Sequence, residues 1–233
     1  MRPLLSIIAS LTFAATAWAV QTDAPRAPRS DIVVETVAEG LVHPWAIAFL
    51  PDGRMLVTER PGRMRIVTVE GQVSAPIEGV PKVFAQGQGG LLDVVLAPEF
   101  QSSGTIYFSY SEPREDGGNG TAVARARLVE EDGRARLEDV QVIFRQLPSY
   151  PANVHFGSRI VIAPDGKLFI TLGERFQMQY AQDLSRHWGK VVRINPDGSV
   201  PEDNPFDGRE DARPEIWSYG HRNPPAAGLH PET

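Results

Sequence analysis

The 233-residue chain has 23 basic and 29 acidic residues, contains no cysteine and is 42% apolar. This apolar content excludes a disordered chain, and the lack of cysteine excludes a disulfide framework or a thiolate-bound metal. A net charge of −6 without basic runs argues against binding to nucleic-acid phosphates. The 21 glycines and 20 prolines indicate many tight turns, as in a protein of short strands.

The first 19 residues have the pattern of a secretory signal peptide. Arg2 gives a positive start, residues 4–18 are mainly apolar, and residues 17–19 (Ala-Trp-Ala) fit a cleavage site. The apolar stretch is too short for a good membrane span. Residues 20–30 carry two prolines and no apolar period, which predicts a flexible lead-in. We therefore expect a protein exported by a bacterium, periplasmic or secreted, with no membrane span after cleavage.

Short apolar runs separated by turn residues follow from residue 31 onward, and several of them alternate with period two. No stretch of a dozen residues sustains a helical apolar stripe, although residues 175–186 could hold one helical turn. The sequence therefore predicts an all-β chain. The predicted strands are residues 32–37, 45–49, 55–59, 63–69, 91–96, 105–110, 122–129, 140–146, 159–162, 168–172, 190–194 and 215–219.

A hairpin pattern repeats along the chain. Residues 48–60 and 162–175 both contain an apolar strand, a Pro-Asp-Gly turn, a second apolar strand and a final Glu-Arg, and residues 95–100 begin a weaker copy. In such a turn, proline fixes φ at the first corner and glycine takes the positive φ that closes it. The prolines of the three copies are 47 and 66 residues apart, a spacing that fits propeller blades with one insertion. An immunoglobulin-type sandwich would not repeat its own hairpin, so the sequence predicts a β-propeller over residues 31–233.

Loops at one end of the inner strands bind ligands in propellers, and four polar or Gly-rich segments fit such loops. They are residues 86–90, 153–159, 182–187 and 219–224.

Four side chains in these loops are candidate site residues. His155, just before an apolar strand, is a candidate general base, although lone histidines are usually structural. Gln88 lies between glycines, which would let a ligand approach the backbone and the amide closely. The alternative interpretation is a tight turn that serves only the packing of the chain. Arg222 and Asn223 pair a cation with an amide, which suits a carboxylate or a quinone oxygen, although a local ion pair would also explain the arginine. The other four histidines are predicted to be loop or surface residues. No zinc, nucleophile-elbow or phosphate-loop motif is present.

Five segments in this order resemble the soluble aldose sugar dehydrogenases that use pyrroloquinoline quinone (PQQ), the glucose/sorbosone dehydrogenase family. The resemblance runs from about Gly40 to Asn223 and covers nearly all of the chain after the signal segment. The segments are GLVHPWAIAFLPDGRMLVTERPGRMRIV, GQGGLLDVVLAPEF, HFGSRIVIAPDGKLFITLGER, QDLSRHWGKVVRINPDGSVPEDNPF and EIWSYGHRNP.

The resemblance implies a six-bladed β-propeller and an exported quinoprotein that oxidises the C1 hydroxyl of an aldose to a lactone. It assigns His155 as the base that takes the hydroxyl proton while hydride passes to PQQ. It assigns Gln88, Arg222 and Asn223 to cofactor binding, with Arg222 placed to stabilise negative charge on the quinone oxygen. An aldose substrate and an external electron acceptor are the implied partners. The family also binds calcium, but its ligands fall after the segment that ends in Arg-Asn-Pro, so the resemblance assigns no metal ligand here.

Six blades of roughly 40–45 residues need about 240–270 residues, whereas 214 follow the predicted signal peptide. We therefore expect an N-terminal portion of roughly three to four blades that is inactive alone. Two other functions stay open. A metal-dependent hydrolase of the lactonase type predicts lactone hydrolysis without quinone, and a non-catalytic propeller that binds carbohydrate or protein predicts no uptake of PQQ.

Overall fold

The computed structural model describes residues 32–230. The predicted signal peptide (1–19) and lead-in (20–30) lie outside the described residues. Residues 36–230 are the described part of one compact unit, and residues 32–35 are the described part of a separate unit. Residues 32–37 form neither helix nor strand, so the strand predicted there is wrong. These residues belong to none of the three sheets of the described chain, and an apolar run that is not paired in a sheet forms no strand.

Eleven strands of the described residues form three antiparallel sheets, built in chain order. The all-β prediction is confirmed. The helices between residues 32 and 230 are a four-residue helix, α1 (Phe100–Ser103), and a 3-10 turn over Met178–Tyr180, inside the segment where the sequence predicts one. The first sheet contains β1 (Pro44–Phe49), β2 (Met55–Glu59) and β3 (Arg63–Val67). The second contains β4 (Leu91–Leu96), β5 (Thr105–Pro113), β6 (Asn119–Glu131) and β7 (Arg134–Arg145), and the third contains β8 (Gly157–Ile162), β9 (Leu168–Leu172), β10 (Lys190–Ile194) and β11 (Ile216–Tyr219).

The three sheets are blades of a β-propeller, with β1, β4 and β8 as neighbouring inner strands. The repeated hairpin of the sequence joins the first two strands of the first and third blades. In both turns a glycine closes the loop at positive φ, 87° at Gly53 and 82° at Gly166. In the second blade, α1 replaces this turn and ends at Gly104, with φ 67°.

The core lies between the blades, and β5 shows how one strand serves two neighbours. Ile106, Phe108 and Tyr110 are buried against the first blade, whereas Tyr107 is buried against the third. Successive side chains of a strand point to opposite faces, so an uninterrupted apolar run fits a sheet that is covered on both sides. No helix among residues 32–230 is long and apolar enough to cross a membrane.

Candidate active site

The predicted site residues lie in loops at one end of the blades. Gly157, at the start of β8, pairs with Leu172, at the end of β9, so the loop before β8 meets the loop after β9. His155 lies in the first of these loops and Glu174 in the second. The loop before β4 carries Gln88, whose side-chain Oε1 accepts the backbone N–H of His155 at 2.8 Å.

His155 forms a buried pair with a carboxylate that the sequence analysis does not assign to the site. Its Nδ1 lies 2.9 Å from Oε1 and 2.8 Å from Oε2 of Glu174. His155 is 8% exposed and Glu174 is 2% exposed. A carboxylate at Nδ1 fixes the orientation and the tautomer of an imidazole, with the proton on Nδ1 and a free lone pair on Nε2.

The backbone around this pair adopts conformations that bulky residues rarely take. His155, Arg175 and Phe176 have φ values of 53°, 60° and 61°. Gly173 allows the two loops to approach, since a Cβ there would overlap with the carbonyl oxygen of His155. Strained backbone of this kind concentrates at functional sites, where the surrounding contacts maintain it.

Gln88 and Asn223 use their amide groups in the same way. The Oδ1 atom of Asn223 accepts the backbone N–H of Gly157 at 2.9 Å, just as Gln88 accepts that of His155. Because each oxygen is occupied by a backbone donor, each amide is oriented with its NH₂ group as the remaining donor. Both residues line a cavity of about 280 Å³ at this end of the blades. Its other lining residues are Trp45, Arg60, Leu92, Phe156, Gly157, Ser158 and Pro225.

Two arginines at this end differ in how they are held. The Nη1 of Arg60 donates to the carbonyl of Gly87 at 2.8 Å, and its buried Nε has no partner among the described residues. Arg222 is exposed and is not part of the cavity lining. The structure therefore brings together Gln88, His155 and Asn223, whereas Arg222 joins them through its backbone carbonyl, which accepts the N–H of Glu174 at 2.9 Å.

Arg175 is buried beside the pair without a carboxylate partner in the described chain. Its guanidinium carbon lies 3.8 Å from the centroid of the Phe156 ring, and its Nη2 donates to Asn119 and to the carbonyl of Ala152. Burial lowers the pKa of Arg175 to about 10, and the negative charge of Glu174 opposes this shift. The side chain thus ties the loop that carries His155 to the loop that carries Glu174.

Within residues 32–230, no cluster of three or more His, Asp or Glu side chains could hold a metal ion. A larger cleft of about 680 Å³ opens elsewhere, between the first and second blades. It includes Arg54, which precedes β2, whereas Arg60 follows β2, so this cleft lies at the opposite end of the blade. Its position separates it from the predicted site residues.

Glu174 carries a sequence signal, since it belongs to the Glu-Arg that ends both repeated hairpins. The equivalent Glu59 is also buried and bonds Arg63 and Arg65. The repeat thus marks a carboxylate that is buried at the end of the second strand. His187, predicted to be a loop or surface residue, lies in the loop before β10 and is 1% exposed, so it is a buried loop residue.

Comparisons with known proteins match the chain to a family model and to relatives named as sugar dehydrogenases. The family model "Glucose / Sorbosone dehydrogenase" matches residues 41–233. The aldose sugar dehydrogenase YliI of Escherichia coli K12 is 49% identical over 199 residues, which are 85% of this chain and 53% of that protein. The chain therefore spans about half the length of this curated relative.

Solved structures give the same result. A crystal structure of a glucose dehydrogenase superposes with a TM-score of 0.83 at 47% identity, covering 87% of this chain and 58% of that one. The PQQ-bound aldose sugar dehydrogenase of Streptomyces coelicolor superposes with a TM-score of 0.71 at 32% identity, covering 82% and 55%. The family resemblance and the propeller fold predicted from the sequence are thereby confirmed. The chain belongs to the glucose/sorbosone dehydrogenase family.

Proposed function

We propose that the protein is a PQQ-dependent dehydrogenase that oxidises the C1 hydroxyl of an aldose to a lactone, with His155 as the base. The observation that carries the proposal is the buried His155–Glu174 pair. Gln88, which holds the backbone of His155, and Phe156, the next residue in the chain, line a cavity edged by amide and guanidinium donors. The aldose sugar dehydrogenase relative and the PQQ-bound structural neighbour support it.

The cavity residues fit a flat, anionic cofactor. PQQ carries three carboxylates and two quinone oxygens, which need N–H donors and cations. Arg60 has an orphaned buried Nε, and the amides of Gln88 and Asn223 have NH₂ groups to donate. Trp45 and Phe156 supply aromatic surface for a planar ring system. Together with Arg222 at the exposed edge, these residues would hold PQQ, which supplies a two-electron acceptor for the hydride that leaves C1.

His155 would remove the hydroxyl proton. With its Nδ1 proton donated to Glu174, the imidazole can accept a proton at Nε2. The C1 oxygen of the sugar would give its proton to Nε2, and the C–O bond would become the carbonyl of the lactone as C1 gives up its hydride to the two-electron acceptor that PQQ would supply. The carboxylate of Glu174 then stabilises the imidazolium.

Export, an external electron acceptor and calcium are expected from the sequence and the family resemblance. Export rests on the pattern of residues 1–19. An external electron acceptor would be needed to reoxidise the cofactor after each turnover. Calcium is expected from the family resemblance alone. The described residues contain no acidic cluster for it, so no step is assigned to calcium.

The test uses the protein expressed from its complete gene, purified and loaded with PQQ and calcium. We expect aldose-dependent reduction of a redox dye, which His155→Ala abolishes while uptake of PQQ, followed by absorbance, persists. His43→Asn is the matched control, because His43 also has a positive φ, 49°, and is exposed. Full activity of His155→Ala would contradict the mechanism. Lactone hydrolysis without quinone would favour the hydrolase, and failure to take up PQQ would favour a binding propeller.

A further inference from the structure

Phe176 is an exposed aromatic side chain beside the proposed base. It is 65% exposed, yet its ring centroid lies 5.3 Å from that of His155, with the two ring planes 62° apart. Single exposed apolar side chains are common on protein surfaces, but this ring lies against the side chain that would take the substrate proton, so a ligand bound at His155 would meet it.

The backbone of Phe176 is held by the site itself. The backbone N–H of Phe176 donates to Oε2 of Glu174 at 2.8 Å, the same carboxylate that orients His155. The N–H of Gln177 then donates to the carbonyl of Glu174 at 2.9 Å, which closes the turn. Phe176 has a φ of 61°, in the left-handed region that glycine adopts readily because it lacks a Cβ. A bulky side chain kept in this conformation, and kept in solvent, has no explanation in core packing.

The proposed proton transfer at His155 defines the ligand that Phe176 would contact. A hydroxyl that gives its proton to Nε2 must lie within hydrogen-bond distance of the imidazole. The sugar ring attached to that hydroxyl would therefore lie within reach of an aromatic ring only 5.3 Å from the imidazole. Pyranoses present faces of C–H groups, and aromatic rings bind such surfaces through dispersion and through their negative faces.

We propose that Phe176 is the wall against which the aldose ring stacks, and that it selects pyranoses with an unbroken C–H face. This inference rests on the proposed function, since it takes the substrate class from it. Phe176 is a specificity-determining residue here, whereas His155 performs the proton transfer.

Two kinds of substitution separate this role from packing. Phe176→Gly removes the ring and relieves the positive φ, so the variant should melt no lower than the wild type. Its KM for the aldose should nevertheless rise roughly 3- to 10-fold, the loss of one aromatic contact, with kcat changed less than twofold. Phe176→Tyr and Phe176→Trp should restore KM. Phe49→Ala is the matched control, because Phe49 is 69% exposed at the opposite end of β1.

A binding measurement keeps the inference independent of turnover. Saturation-transfer-difference NMR with glucose and the cofactor-free protein should show C–H signals of the sugar that weaken in Phe176→Gly and recover in Phe176→Tyr. If this dependence appears while the wild type oxidises no aldose, the stacking site stands and the dehydrogenase function fails. If KM and the NMR signals are unchanged in Phe176→Gly, the inference is overturned. A wild type that neither binds nor oxidises aldoses overturns it as well, as does a lowered melting temperature with an unchanged KM.

Discussion

Glu174 places both of its carboxylate oxygens within 2.9 Å of the same ring nitrogen of His155. One of these oxygens also accepts the N–H of Phe176, at 2.8 Å, and the backbone N–H of Glu174 donates to the carbonyl of Arg222. The carboxylate is thus fixed from several sides before any substrate arrives. Such a pair leaves the second nitrogen of the imidazole available for proton transfer and compensates the positive charge that the transfer creates.

The first prediction concerns the charge of this carboxylate. Glu174→Gln keeps the size of the side chain and removes the charge that stabilises the imidazolium, so kcat should fall roughly 100-fold or more. Binding of PQQ, measured by absorbance titration, should change little. The matched control is Glu59→Gln, at the equivalent buried position of the first blade. It should lower the melting temperature without reducing kcat, because Glu59 bonds Arg63 and Arg65. A Glu174→Gln variant with kcat within threefold of the wild type would contradict the assigned role.

The second prediction separates the two residues of the Arg-Asn pair. Asn223→Ala leaves the N–H of Gly157 without its acceptor and removes an amide from the cavity, so both the melting temperature and the affinity for PQQ should fall. Arg222→Met removes an exposed cation whose side chain holds no backbone group in the described chain, so only the affinity should fall. Each affinity loss should be roughly 10-fold, about one hydrogen bond to a charged group. Differential scanning fluorimetry and absorbance titration measure the two effects. An Arg222→Met variant that binds PQQ as tightly as the wild type would remove Arg222 from the cofactor site.

The strands and their turns follow from local sequence, which is why most of the fold could be predicted. Pro-Asp-Gly with a glycine at positive φ closes the hairpins of the first and third blades, and each blade pairs strands that are consecutive in sequence. The strand predicted over residues 32–37 does not form, and local sequence could not show this. An apolar run becomes a strand only if it pairs with another strand, and that pairing depends on the whole fold.

A site residue could be predicted only where its type and its local sequence together indicate a chemical role. His155, Gln88 and Asn223 lie in polar, Gly-rich loops, and the structure brings them together. Glu174 is 19 positions from His155 in the sequence. The repeated Glu-Arg marks it as a carboxylate at the end of a hairpin, but only the pairing of β8 with β9 brings it beside His155. The positive φ of Phe176 has no signal at all, because nothing in the sequence distinguishes a phenylalanine held in that conformation.

The third prediction concerns a buried carboxylate that joins two inner strands. Asp93 of β4 is 1% exposed, and its oxygens accept the guanidinium of Arg159 and the N–H of Ile160 on β8, both at 2.7 Å. Burial raises the pKa of Asp93, although these donors oppose the shift. Asp93→Ala would leave both donors without their acceptor and should lower the free energy of unfolding by roughly 2–4 kcal/mol.

The control for this prediction is Asp52→Ala. Asp52 also bonds an arginine, Arg54, but it lies in an exposed turn, so its loss should cost less than about 1 kcal/mol. Urea unfolding of the two variants compares them. If the two variants lost the same free energy of unfolding, the bonds of Asp93 to β8 would contribute no more than a surface ion pair.

The last prediction is a pH dependence of stability that originates at His187. The N–H of Leu147 donates to its Nδ1 at 3.1 Å, and its Nε2 lies 3.2 Å from Oε2 of Glu215. This arrangement requires the neutral imidazole, because Nδ1 is occupied as an acceptor. Burial lowers the pKa of His187 below its usual value of 6.5, and the hydrogen bond to Glu215 only partly opposes this. The unfolded chain therefore binds this proton more readily than the folded one, so stability is complete above about pH 6.5 and falls as the pH drops from there toward the lowered pKa.

His187→Gln tests the assignment, since glutamine does not titrate. At pH 7.5 the variant should be less stable than the wild type by about 1–3 kcal/mol, because it disturbs the bonds to Leu147 and Glu215. This difference in the free energy of unfolding should be smaller at pH 5. There the wild type loses stability, because either its imidazole stays neutral while the unfolded chain binds a proton, or the imidazole is protonated and loses the hydrogen bond from Leu147. Urea unfolding at both pH values measures the difference directly. A difference that stays constant would show that His187 binds its proton equally well in the folded and unfolded states.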